Sequence, residues 1–177
     1  MSIGLTIFTL FHVAISLAGI VSGFVVAYGL LTARRFDGWT AIFLTTTVTT
    51  SVTGYFFPVD HFMPSHAVGI VSLLVLGIAI VARYRRHLVG SWRSIYVVSA
   101  MIALYLNVFV LIVQSFAKVP ALKALAPTQS EPPFKLTQLV VLALFVLLTS
   151  VSAVCFRVEP RRHEPLNLVA DDGLAKV

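Results

Sequence analysis

Five long apolar runs, separated by short polar segments, set the pattern of this chain. A helix needs about 20 predominantly apolar residues to cross a hydrocarbon core. The runs therefore predict an all-α, polytopic membrane protein: a bundle of five transmembrane helices at about 3–33, 39–57, 66–82, 94–118 and 136–156. Breakers and charges mark the ends. Arg34 and Arg35 close the first run, Pro58 the second, the stretch Arg83-Tyr84-Arg85-Arg86-His87 the third, and Val119-Pro120 the fourth. Ser65 is the expected N-cap of the third helix, and Trp92 an interfacial anchor for the fourth. Between 120 and 134, Ala121-Leu122-Lys123-Ala124-Leu125-Ala126 predicts a short interfacial helical turn. Glu131-Pro132-Pro133 suits a helix's first turn, where proline loses no hydrogen bond. Residues 1–158 form the expected bundle and 159–177 a polar cytoplasmic tail.

Small residues mark the faces expected to pack. Gly19-Ile20-Val21-Ser22-Gly23 is a GxxxG pattern, extended at helical spacing by Ser16 and Ala27. The second helix carries a stripe of Thr46, Thr50 and Gly54, read first as packing and second as a cavity lining. In the third helix Gly69, Leu73 and Gly77 share a face expected to suit close contact.

Composition agrees with this class. Hydrophobic residues make up 58% of the chain and charged residues 11%, against roughly 45–50% and 25% for a soluble domain. The net charge of +6 does not point to nucleic acid, because the basic residues sit at the ends of apolar runs. Arg34, Arg35, Arg83, Arg85, Arg86, Arg93, Arg157, Arg161, Arg162 and Lys176 fall on one side, and only Lys118, Lys123 and Lys135 on the other. That bias predicts an external N-terminus and a cytoplasmic C-terminus. No Lys or Arg precedes Arg34, so the first run is expected to be a retained helix and not a signal peptide. A single cysteine, Cys155, excludes an internal disulfide.

The polar turn Pro58-Val59-Asp60-His61-Phe62-Met63-Pro64-Ser65-His66 draws attention to one end of the bundle. Counting ~1.5 Å per residue from each closing arginine puts His12 ~33 Å above Arg34 and His66 ~26 Å above Arg83. The same count puts Gln114 ~32 Å above Arg93, Gln138 ~29 Å above Arg157, and Asn107 ~21 Å above Arg93. The hydrocarbon core is ~30 Å thick. Four polar side chains from four helices thus reach one outer level, with Asp60, His61, Met63 and Glu131 in the loops above and Asn107 inside the membrane. A purely interfacial role competes evenly with a site. Against that role, His12 lies within the continuous apolar run 8–24, and intramembrane ionisable residues mark function by default. His12, His66, Asn107, Gln114 and Gln138 are therefore the candidate cofactor-binding residues.

Three chemistries suit them. Haem b would be held by His12 and His66, with Gly19 and Gly69 giving a macrocycle room. A transition metal, copper above all, would take His61, Met63 and His66 as nitrogen and thioether ligands. An apolar small molecule such as a quinone or lipid would be oriented by His66, Asn107 or Gln114. No Asp, Glu, Lys or Arg lies between the ends of any span, which argues against an ion-coupled pump. Hydrolase, zinc-protease and nucleotide motifs are absent from the sequence.

Over residues 55–145 the chain resembles a group of small bacterial integral membrane proteins without an assigned function. The resemblance rests on Pro64-Ser65-His66-Ala67-Val68-Gly69-Ile70, on Ala103-Leu104-Tyr105-Leu106-Asn107-Val108-Phe109, on Val119-Pro120-Ala121-Leu122, and on Ala126-Pro127-Thr128-Gln129-Ser130-Glu131-Pro132-Pro133. It implies a multi-pass protein of the bacterial inner membrane and supplies no activity. The leading expectation is a non-catalytic protein, in contact with lipid, whose outward-facing histidine pocket binds a small ligand or cofactor. The alternatives are a haem b redox protein using His12 and His66, and an accessory subunit packed against a membrane-protein partner or a second copy.

Overall fold

The computed structural model describes residues 3–57 and 64–156. His61, Met63, Asp60 and the tail from 157 lie outside the described residues. All regular structure among the described residues is helical: α1 (Ile3–Leu31), α2 (Asp37–Thr53), α3 (Pro64–Ile80), α4 (Trp92–Lys118), α5 (Pro120–Leu125) and α6 (Pro132–Cys155). A tight turn, Gly54–Phe56, prolongs α2, and a wide π-type turn, Val81–Arg85, prolongs α3. Among the described residues four helices are long and apolar enough to cross a membrane, spanning Ile3–Leu31, His66–Arg85, Trp92–Lys118 and Pro132–Cys155. The expected fifth, α2, has 17 residues and falls short of that length on its own.

Prolines account for two shifted boundaries. α6 begins at Pro132 and not near 136, with prolines at its first two positions, where a missing N–H costs nothing. α3 likewise begins at Pro64, so Ser65 lies inside the first turn and is not the N-cap. The short turn foreseen after Pro120 is present as α5.

α1 and α2 run antiparallel, as contacts at both ends show. Near the end of α1 the ring of Phe36 sits against Gly29, and near its start His12 meets Thr53 of α2. α1, α2, α3 and α4 form a ring in that order, closed by contact between α4 and α1, while α6 packs outside against α4 and α1.

The two ends of this ring are packed differently. At the arginine end the core is solid: Phe43, Leu76, Tyr96, Val97, Met101 and Leu104 are fully buried. Arg83 is held there by an ion pair with Asp37 and by the faces of Tyr84 and Tyr96, 5.8 and 5.3 Å from its guanidinium carbon. Gly23 belongs to this solid part. A Cβ there would lie 2.5 Å from Leu104 Cδ1 and 2.9 Å from Phe43 Cε2, so only glycine lets the helices approach. At the other end, no described residue of α1 before Gly19 is buried. The Gly77 face of α3 also departs from expectation. Gly77 is exposed with nothing near it, and the inward face is Ser72, Leu76, Ala79 and Ala82.

The connection between α5 and α6 is built around Glu131. Its carboxylate accepts from the Thr128 amide (3.1 Å), the Thr128 hydroxyl (2.8 Å) and the Ser130 amide (3.0 Å). Desolvation pushes its pKa up, but the donors together outweigh it and hold the group below its ordinary value. Gln129 ties the loop to α4 by donating to the Val113 carbonyl at 2.9 Å.

Candidate functional site

The open end of the ring holds a cavity of about 480 Å³ between α1, α2, α3 and α4. Its size falls in the ~300–1,000 Å³ range of small-molecule sites. Its walls are mainly aliphatic, with Val13, Leu17, Ile20, Leu106, Val110 and Leu111 among them. Several of its polar groups are already hydrogen-bonded to protein atoms, within one helix or between two. Ser16 donates to the His12 carbonyl at 2.7 Å, and Ser51 of α2 meets Ser72 of α3 at 3.2 Å. Hydroxyls bonded in this way are tolerated in an apolar wall.

His12 lines the cavity from α1, with its Nδ1 2.8 Å from Thr53 Oγ1. The Thr53 hydroxyl already donates back along α2, 2.7 Å to the Thr49 carbonyl. A hydroxyl has one proton, so while that proton goes to the Thr49 carbonyl the His12 ring donates from Nδ1 to Thr53 Oγ1. The edge of the ring meets Phe57, centroids 5.1 Å apart.

His66 enters from the first turn of α3, and its ring stacks on Tyr55 at 5.5 Å. The Tyr55 hydroxyl donates to the His66 backbone carbonyl at 2.9 Å. Tyr55 thereby occupies the space beside Gly69, where a Cβ would come 2.8 Å from its hydroxyl oxygen. The gap at Gly19 is filled too, by Thr46 and Thr47 hydroxyls 3.1 and 3.3 Å from a hypothetical Cβ. The room expected for a macrocycle at these two glycines is taken by protein atoms.

Asn107 lines the lower part of the cavity, its amide nitrogen donating to Thr47 Oγ1 at 3.0 Å. The bond runs across the bundle, from α4 to α2. Gln114 lies two turns higher on α4, exposed at the rim. Gln138 does not line the cavity. It sits on α6, outside the ring, where its Nε2 is 3.4 Å from the Phe109 carbonyl and its Oε1 is buried without a partner. A shared depth did not mean a shared direction. Among the described residues no three His, Cys, Asp or Glu side chains group as a metal site. The proposed copper ligands His61 and Met63 lie outside those residues, which leaves His66 alone.

Sequence reasoning missed three contributors. Lys118 lines the cavity mouth but had been read only as a topology marker. Its spacing of four from Gln114 was the available signal, since such residues share a helix face. Tyr55 and Thr53, which hold the two histidines, gave no signal beyond lying near a helix end. No protein family, curated protein or solved structure matches the chain.

Proposed function

We propose that the chain is a non-catalytic binding protein of the bacterial inner membrane, whose cavity takes a small, largely apolar molecule with a polar end. The observation that carries this reading is the convergence of His12, His66, Asn107 and Gln114, from three helices, on one aliphatic-walled cavity. A few placed polar groups in an apolar pocket are the usual signature of a site that orients a small ligand. The polar groups fix direction: Gln114 at the rim, and Asn107 some 11 Å lower at ~1.5 Å per residue.

The same proposal takes the bundle as five crossings, N-out and C-in. α2 runs beside α1 from Phe36, against Gly29, to Thr53, against His12. With its terminal turn it supplies 20 residues from Asp37 to Phe56, or ~30 Å, the thickness of the hydrocarbon core. The ten-to-three bias of basic residues supports this orientation, in which the cavity opens at the outer face.

The test is organic extraction of protein purified from its host membrane, with mass analysis and a visible spectrum. The expected result is an apolar molecule in near-stoichiometric amount, depleted in the double variant His12→Ala, His66→Ala. A Soret band that disappears in that variant would transfer the site to haem. Equal extracts from both proteins would remove the histidines from the site.

A further inference from the structure

Resting on the reading of the cavity as a binding site, we propose that its occupant is a single-chain amphiphile with an anionic head, such as a fatty acid, admitted sideways from the lipid between α1 and α4.

The route follows from which walls are joined. α1 and α2 are tied beside the cavity by His12 to Thr53 and by Ser16 to Thr50 at 3.4 Å. α2 and α3 are tied by Ser51 to Ser72 and by Tyr55 to His66. Between α1 and α4 no side-chain hydrogen bond joins the described residues that line the cavity. Val13 and Leu17 on one side and Leu111 on the other line the cavity and are also 42%, 45% and 38% exposed. Lower down the gap closes, where Leu104 fills the space against Gly23. Leu17 stands ~26 Å above Arg34 by helix rise, within a hydrocarbon core of ~30 Å. The opening therefore faces acyl chains.

The class of occupant follows from what can hold it. An acyl tail gains nothing hydrophobic by leaving lipid for an aliphatic cavity, because lipid is equally apolar. Retention has to come from the head group. Among the described residues that line the cavity, Lys118 carries the only fixed charge and none is a carboxylate. Gln114, one turn earlier on the same face, adds amide donors. The first turn of α3, with the positive end of its dipole, also reaches the mouth through His66. Three donors at the rim and a dry shaft below match an anionic head and an apolar chain. From Lys118 down to Asn107 is ~16 Å of helix rise, close to the ~15 Å of one leaflet of the core. One fatty acyl chain fits that depth.

The test uses the full chain in nanodiscs of zwitterionic lipid and three probes: a long-chain fatty acid, the alcohol of equal chain length, and a neutral quinone. Affinities are read by displacement of a fluorescent fatty acid or a fluorescent quinone. In the wild type the acid should bind about tenfold tighter than the alcohol, the effect of one charge-assisted hydrogen bond. Lys118→Gln, an exposed substitution that the core does not feel, should abolish that gap by weakening the acid far more than the alcohol. Leu111→Trp should slow probe exchange several-fold by narrowing the opening. Equal affinity for acid and alcohol, or binding of the quinone alone, overturns the anionic assignment while leaving a binding cavity. Failure of all three probes removes the cavity reading as well. Unchanged exchange in Leu111→Trp overturns the lateral route.

Discussion

Asn107 holds α4 to α2 through one amide, and the Thr47 hydroxyl is its acceptor. Interhelical hydrogen bonds of this kind average ~0.6 kcal/mol and reach ~1.7. Asn107→Leu should therefore lower the melting temperature in detergent by a small, measurable amount, while Asn167→Leu in the tail should leave it unchanged. Equal effects would mean that the amide bond contributes nothing. The need for a partner was legible in the sequence, because an amide deep in an apolar run cannot stay unpaired. The identity of the partner was not, since sequence gives depth along a helix but not the rotation of one helix against another. Gln138 fails for that reason: its height was right and its direction was not. Glu131 gives a pH prediction outside the bundle. Its folded pKa is depressed, so its contribution to loop order is complete above the ordinary carboxylate pKa and is lost as pH falls through the lower folded value. An NMR titration of the Glu131 carboxyl in micelles should show a midpoint below that of a free glutamate. A midpoint at or above the free value would contradict the three-donor cap.

Among the helices, small residues pack where they face another helix and do nothing where they face outward. Gly23 meets Leu104 and Phe43, both fully buried with no space to retreat. Gly23→Ala should cost about 1–3 kcal/mol as an overpacked core site. Gly77 has open space around it, and Gly77→Ala should be neutral or stabilising by up to ~1 kcal/mol through helix propensity. Paired thermal melts distinguish them, and equal shifts would contradict the packing described. Both glycines sit in small-residue patterns of the same appearance in the sequence. The GxxxG of α1 proved to be a contact face, whereas on α3 the contact face is carried by Ser72, Leu76 and Ala79. Long apolar runs and proline punctuation were enough to find the four long apolar helices among the described residues. They could not rank the faces of α3, because in a helix apolar on all sides no hydrophobic stripe marks the inside.

For the whole molecule, the solid arginine end and the hollow histidine end divide the labour. One end fixes the ring through Arg83, Asp37 and the aromatic core; the other leaves room between four helices. Orientation has its own check. A reporter fused after Val177 should read cytoplasmic and a tag before Met1 external, and finding both on one side would mean an even number of crossings. The binding reading rests on the hollow end, and filling it is the direct test. Val110 lines the cavity, whereas Val151 lies on the exposed face of α6. The decisive measurement is the amount of small molecule that co-purifies with each chain, by quantitative mass analysis, in the wild type, Val110→Trp and Val151→Trp. The account predicts near-stoichiometric occupancy in the wild type and in Val151→Trp, and almost none in Val110→Trp, with the three proteins equally folded. Full occupancy in Val110→Trp, or none in the wild type, would contradict it.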